Sequence, residues 1–340
     1  MPSKLFYPYG EARLQAAIKT TPEDFIVTEN LGFDPCGDGE HLFLFVEKVN
    51  LTTHELIDRI ARSLQISQKQ IGHSGLKDKH AISRQWLSLH LPGLENPQLP
   101  EITGCRLLRQ IRNRSKLRPG THRSNDFEIC LREVSNWSDV SINQILRIQQ
   151  SGMANYFGSQ RFGSRRDNVE QALHRLGNRK TKRHQRGLLI SALRSELFNQ
   201  ILSKRIKAGF WSTPLSGDVF MLRGSQSIFS EPLDERLLQR YQAGDISSCA
   251  SLFGSGNRRF EGEAEELEQE VFAANRAVIE CLKNQSAKLS MRATRVFPEN
   301  LEYAFDANQN CLKLSVTLPT GSYLTTLLDH FATYQEPERR

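Results

Sequence analysis

Long apolar runs are missing from this sequence. No stretch approaches the roughly 20 apolar residues that span a bilayer, and the opening MPSKLFYPYGEARLQ lacks the apolar centre of a secretory leader. A cytoplasmic protein without a membrane segment is therefore expected. Cysteine is sparse and dispersed: Cys36, Cys105, Cys130, Cys249, Cys281 and Cys311 stand singly, with no CxxC pair and no histidine at ligand spacing beside them. That pattern argues against a zinc site and a disulfide framework, and predicts thiols that are buried or incidental. No Walker loop, GxGxxG, GxSxG or HExxH occurs either, so the chemistries those motifs serve lack their signatures. A reaction that uses neither cofactor nor metal is the expectation that remains.

What is present has the ordinary balance of a globular protein, 38% hydrophobic and 24% charged residues. At 340 residues the chain exceeds the roughly 250 to 300 at which a single core stops growing, which predicts two domains. Its formal charge of +7 favours a polyanionic partner. The cations are clustered. Arg106, Arg109, Arg112, Arg114, Lys116, Arg118 and Arg123 follow one another without an acid between them, and a second group runs from Arg161 through Arg165, Arg166, Arg175, Arg179, Lys180, Lys182, Arg183 and Arg186, diluted only by Asp167 and Glu170. One such run is as readily a solvated face as a binding surface; two of them suit the walls of a groove that follows a phosphate backbone. In IRNRSKLRPGTHRSNDF the arginines alternate with polar and helix-breaking residues. This predicts a loop reaching into RNA rather than an amphipathic membrane helix.

The ends of the chain read as strand-rich and the middle as helical. In EHLFLFVEKV, Leu42, Leu44 and Val46 share one face at period two, and LTTHELIDRIARSLQI follows with Leu56, Ile57, Ile60 and Leu64 at helical spacing behind a Thr52/Glu55 capping box. DFEICLREV predicts a strand, LEYAF and CLKLSVTL a hairpin around DANQN, and Ser322 the cap of a closing helix. Residues 186–206 and 262–285 predict long helices. The expected class is α+β, with one domain built from both termini, 1–150 plus 298–340, and a second, 151–297, inserted.

GLKDKHAISRQW holds the one acid that invites a chemical role. Asp78 between Lys77 and Lys79 is by default a surface carboxylate. Gly75, however, allows backbone conformations closed to other residues, GHSG reads as a tight loop, and AISRQWLSLHL continues as a strand. Reactive groups are often carried at such junctions. Lys77, Lys79 or Arg84 would favour the ionised carboxylate that nucleophilic or base chemistry needs. Aromatics interleave with the basic runs, and Asn125 beside Phe127 could offer an amide and a ring to an unstacked base, although each aromatic taken alone is more often core.

Three segments in order, SGLKDKHAISRQW, NYFGSQRFG and SALRSELFNQIL, with TPEDFIVTENLGFDPCGDGEHL upstream and LPTGSYLTTLL downstream, closely resemble the D family of tRNA pseudouridine synthases (TruD). The resemblance runs from about residue 15 to 330. It implies a pseudouridine-synthase catalytic core, a mixed, largely antiparallel sheet with flanking helices, interrupted by a family-specific TRUD domain. It also implies isomerisation of uridine to pseudouridine in tRNA, in this family at position 13 in the D-arm, without cofactor or metal. The family aspartate falls on Asp78, as nucleophile at the ribose C1′ or base at C2′. Its substrate-contacting positions fall on Phe25, Asn125, Phe127 and Tyr323, the last where phenylalanine is more usual. Lys19, Lys77, Lys79, Arg84, Arg112, Arg114 and Arg161 are candidate RNA contacts, and a monomer is expected. The competing reading is a catalytically silent RNA-binding protein or RNA chaperone, which would not need the Asp78 motif.

Overall fold

Strand alternation determines how the larger sheet is built. Strand β3 (His41–Val49) buries Leu42, Leu44, Val46 and Lys48, and β2 (Phe25–Asn30) buries Phe25, Val27 and Glu29. On these two strands the inner face is thus apolar except at two charged positions. In the computed structural model, residues 4–94, 97–99, 101–163, 168–176, 181–257 and 259–337 are described. Leu14–Ala17 forms β1, Ile71–His73 β4, Ile82–His90 β5, Cys105–Asn113 β6 and Ser124–Ser135 β7. The main path runs from the Glu299–Asp306 strand through the Cys311–Pro319 strand to β7, β2, β5, β3 and β6, with β4 pairing β5 and the Ala332–Gln335 strand pairing β1. Only β2 with β5 and β1 with Ala332–Gln335 are parallel. The sheet is mixed and largely antiparallel, and the fold is α+β, as expected.

Helix α1 (Thr53–Ser63) starts at the expected box: the Thr52 hydroxyl accepts from the Glu55 amide (3.1 Å) and the Glu55 carboxylate accepts from the Thr52 amide (2.8 Å). Its Leu56, Ile57 and Ile60 pack on Leu42, Leu44, Val46, Leu87 and Leu89, which satisfies one face of the sheet with one amphipathic helix.

The chain divides into two compact units. One comprises residues 13–138, 298–321 and 332–340, and contains the ten-stranded sheet; the other comprises 1–12, 139–297 and 322–331. Sequence pattern places the joins near 150 and 297, whereas packing places helix Asp139–Ser151 and residues 322–331 with the middle. The second unit is organised by helix Arg183–Lys207, whose Leu189, Leu193, Leu197 and Ile201 form an i, i+4 stripe in a core with Phe157, Phe198 and Leu267. A four-stranded sheet of short strands accompanies it.

Three local expectations change. The span 262–285 is two helices, Gly262–Ala274 and Arg276–Lys283, because Asn275 leaves helical backbone and turns its side-chain amide to the Val271 carbonyl (2.8 Å). The helix near the end, Leu324–Leu328, spans five residues, and the described chain goes on into Ala332–Gln335, whose alternating burial fits a strand beside β1. Arg112, expected in a loop, belongs to β6 together with Arg106 and Arg109. As an edge strand, β6 gains from charge that discourages further pairing. Arg165, Arg166, Asp167, Arg179 and Lys180 lie outside the described residues.

One buried histidine gives the second unit a pH dependence. The fully buried His330 accepts from the Ala154 amide at Nε2 (2.9 Å) and donates from Nδ1 to the Thr326 carbonyl (2.7 Å). Burial pushes its pKa down to about 4. The unfolded chain takes up that proton near the ordinary 6.5 and the folded one only near 4, so the unfolded state binds more protons in between and stability falls as pH drops through this window. The loss attributable to His330 should approach about 3 kcal/mol at pH 4. In His330→Gln, urea unfolding measured from pH 7 to pH 4 should show a correspondingly shallower decline.

Candidate active site

The loop joining β4 to β5 carries Asp78, and its backbone is held at Ser74, Lys77, Asp78 and His80. Ser74 donates from its hydroxyl to Glu29 (2.5 Å) and accepts at its carbonyl from the Gly120 amide (2.7 Å). The Lys77 amide donates to the Thr53 hydroxyl (3.0 Å), which itself donates to Gln85 (2.9 Å). Lys48 donates to the Asp78 carbonyl (2.7 Å), and the Asp78 carboxylate accepts from the His80 amide (3.1 Å). Gly75 serves a different purpose from the one expected. Its φ is not positive; instead a Cβ there would stand 3.3 Å from the His122 ring and 3.4 Å from the Lys77 ammonium. Close approach, not a special backbone conformation, is what glycine supplies.

Lys19 is the cation that faces Asp78. Its Nζ lies 2.6 Å from Asp78 Oδ2 and 3.0 Å from Glu336 Oε1, with its side chain 3% exposed against 26% for Asp78. The same ammonium stands 4.9 Å from the centre of the Phe25 ring. The three cations expected to serve Asp78 are engaged elsewhere: Lys77 with Glu29 (2.8 Å), Lys79 near Glu55 (4.0 Å) and Arg84 with Glu47 (2.9 Å). Each of the three thus answers a different acid, and none of them answers Asp78. Lys48 is fully buried, and desolvation pushes its ammonium down to about 8 against the opposing pull of Asp78.

The β2–β7 register completes the cluster. It sets Asn125 opposite Glu29 and Phe127 opposite Val27 on the same face. Lys77 Nζ donates to Asn125 Oδ1 (2.8 Å), and Asn125 Nδ2 meets His122 Nε2 (3.1 Å). Phe25 and Phe127 meet edge to face, 6.1 Å apart. Asp78, Phe25, Asn125 and Phe127 are therefore assembled in one unit through Lys19, Lys77 and the strand register. Lys19 and Lys77, named as RNA contacts from sequence, are buried within this network.

The remaining named residues have other partners. Glu47 ties both Arg84 and Arg106 (2.9 Å each), Arg112 donates to the carbonyls of Leu91 (3.3 Å) and Leu94, and Arg114 pairs with Asp38 (2.6 Å). Tyr323 and Arg161 belong to the second unit. There both flank Phe157, the Tyr323 ring at 6.2 Å and the Arg161 guanidinium at 5.3 Å, and Arg161 donates to Ser195 (3.3 Å). Among the described residues no group of three or more histidine, cysteine, aspartate or glutamate side chains is placed to hold a metal ion.

Sequence reasoning passed over Glu29, Lys48, His122 and Glu336. For two of them a signal existed: Glu29 continues the Phe25/Val27 face and Lys48 the Leu42/Leu44/Val46 face, so each charge stands where alternation calls for an apolar residue. Glu29 is 2% exposed and its partner Lys77 is buried with it. Glu29→Ala should destabilise the protein by roughly 3 to 5 kcal/mol by stranding a buried cation, and adding Lys77→Met should recover most of that loss; urea unfolding of the two variants checks both.

Comparison with known proteins follows the same outline. A sequence model of the family described as tRNA pseudouridine synthase D (TruD) matches residues 4–178 and 166–331. A tRNA pseudouridine synthase D of Legionella pneumophila (strain Lens) is 40% identical over 332 residues, covering 96% of this chain and 97% of that protein. One from Hydrogenovibrio crunogenus is 36% identical over 330 residues, covering 96% and 95%. In fold the chain is similar to a crystal structure described as a tRNA pseudouridine synthase D (TruD) from Methanosarcina mazei, with a TM-score of 0.71 and 22% identity over 96% of this chain and 95% of that one. With matches of this identity over nearly its whole length, this chain belongs to the tRNA pseudouridine synthase D (TruD) family.

Proposed function

We propose that this protein isomerises uridine to pseudouridine in tRNA, at position 13 in the D-arm, in the cytoplasm, with Asp78 as the catalytic residue. The observation that carries the reading is the Asp78 carboxylate, ion-paired to a buried Lys19 in the same cluster as two rings, Phe25 and Phe127, and the amide of Asn125. A base taken out of its stack is received by flat side chains and read along its edge by polar ones. Asp78, partly exposed where Lys19 is not, is the member of the pair that substrate can meet.

The reaction rearranges bonds without net gain or loss of atoms. The C1′–N1 bond breaks, the base turns, C1′ joins C5, and the proton lost from C5 is balanced by one taken up at N1. Asp78 acts either by attacking C1′ or by removing a proton at C2′. Lys19 positions the carboxylate, and Lys48 holds the backbone beneath it. Tyr323, in place of the commoner phenylalanine, keeps a ring face for the substrate and adds a hydroxyl that needs water or a partner. Segment 151–297 corresponds to the inserted family-specific domain, and Lys79, Arg84, Arg112, Arg114 and Arg161 serve the tRNA backbone, Arg112 from the half-buried end of β6 and Arg114 from the loop after it.

Pseudouridine mapped in tRNA from cells with and without this protein should differ at position 13. Asp78→Asn should lose at least a thousandfold in turnover while binding tRNA within about twofold of the parent. Appreciable turnover by Asp78→Asn would remove Asp78 from the catalytic role, and an unaltered pseudouridine map would favour a silent RNA-binding protein.

A further inference from the structure

Lys77 adjoins Asp78 in the chain and turns the other way, into a buried line of groups that the isomerisation does not by itself require. Its ammonium stands 2.8 Å from Glu29 Oε2 and 2.8 Å from Asn125 Oδ1. Glu29 is in turn held by the Ser74 hydroxyl (2.5 Å) and the Trp86 amide (3.2 Å). At the far end, Asn125 Nδ2 meets His122 Nε2 at 3.1 Å. His122 is 7% exposed, and burial holds its protonation below the ordinary histidine range.

The chemistry of these groups decides which way the Asn125 amide points. An asparagine can usually turn its amide over, exchanging donor for acceptor, because the two ends have the same shape. A lysine ammonium has donors only, so the atom that meets Lys77 must be the oxygen. The amide nitrogen is then left facing His122, which must accept at Nε2 and so carries its proton on Nδ1. Turning the amide over would set an NH2 group against an ammonium and an oxygen against a lone pair. The contact with Lys77 would be repulsive, and the contact with His122 would be repulsive too unless the imidazole moved its proton from Nδ1 to Nε2; both are part-buried, where an unmet donor is costly.

We infer that Lys77 and His122 are positioning residues that lock the Asn125 amide in one orientation, and that this lock makes Asn125 a reader of uracil against cytosine. The inference rests on the reading of Asn125 as the residue that meets the target base. After its internal bonds the amide keeps one acceptor site on Oδ1 and one N–H on Nδ2. Uracil offers the complement along its edge, an N3–H donor beside a carbonyl acceptor. Cytosine in the same pose offers the reverse, an N3 acceptor beside an amino donor, and would need the turned amide. With the pyrimidine held by ring contacts, the locked amide accepts one base and meets the other with donor against donor.

The test uses the full chain in the Asp78→Asn background, so that binding is read without turnover, and two tRNA transcripts that differ only by U or C at the target nucleotide. The U transcript should bind at least about tenfold more tightly, the range of one good bidentate contact. Lys77→Arg, still a donor only, should keep that preference. In Lys77→Gln the acceptor Glu29 claims the new amide nitrogen and leaves an oxygen facing Asn125, so the preference should fall to unity or invert. Glu29→Gln with Lys77→Met, which removes the buried charges together, should bring it within about twofold of unity, as should Asn125→Ala. A preference that survives Lys77→Gln and the Glu29→Gln, Lys77→Met pair but is lost in Asn125→Ala would overturn the lock while leaving Asn125 as the base reader. A preference unchanged in Asn125→Ala would overturn the lock together with that reading of Asn125, and leave the Asp78 assignment standing.

Discussion

Charge placed on the inner face of a sheet must be neutralised from outside the sheet, and in this protein that requirement organises the site. Glu29 on β2 and Lys48 on β3 continue faces whose preceding members, Phe25 and Val27 on β2 and Leu42, Leu44 and Val46 on β3, are all buried apolar side chains. Neither charge could be taken out of water alone without a cost of several kcal/mol. Their partners come from one short segment, the loop carrying Asp78: Lys77 turns inward to Glu29, and Lys48 reaches the Asp78 carbonyl. The loop is fixed at these two neighbouring residues by the sheet it crosses. A loop so held has little freedom left, which is the condition for presenting a side chain in one geometry.

With Lys77 and Lys48 committed, the Asp78 carboxylate is left to Lys19, which reaches it from just beyond β1 and is itself shared with Glu336 near the far end of the chain. Segments more than 300 residues apart in sequence thus meet at one ammonium, because the strand before Glu336 runs parallel to β1. Adjacent residues in the loop serve opposite ends of the site: Asp78 stays partly open while Lys77, facing the other way, sets Asn125. The β2–β7 register then places Phe127 and Asn125 on that same inner face, two residues apart.

Much of this was legible in the chain. The α+β class, the major strands, the Thr52/Glu55 cap and the junction character of the Asp78 loop follow from alternation and local chemistry alone. Glu29 and Lys48 were legible in principle, as charges breaking an apolar alternation, yet a strand pattern names the anomaly and not its partner. Gly75 was correctly marked as special and its purpose misread, since crowding by His122 and Lys77 comes from residues distant in sequence. Arg112, in β6, looked like part of a loop because an edge strand exposed along most of its length carries almost no periodic signal.

By itself the sequence determined which residues are candidates for chemistry: a single aspartate in a tightly turned motif, an amide and two rings that could receive a base, and cations in excess. These are properties of side-chain type and of period-two spacing, both local. Tertiary structure alone decided which cation serves which acid, giving Asp78 to Lys19 and withholding Lys77, Lys79 and Arg84. Ion pairing depends on distances of a few ångström, and those are determined by strand register and side-chain direction across the sheet, where neighbours in sequence face apart and residues from the two ends of the chain lie side by side.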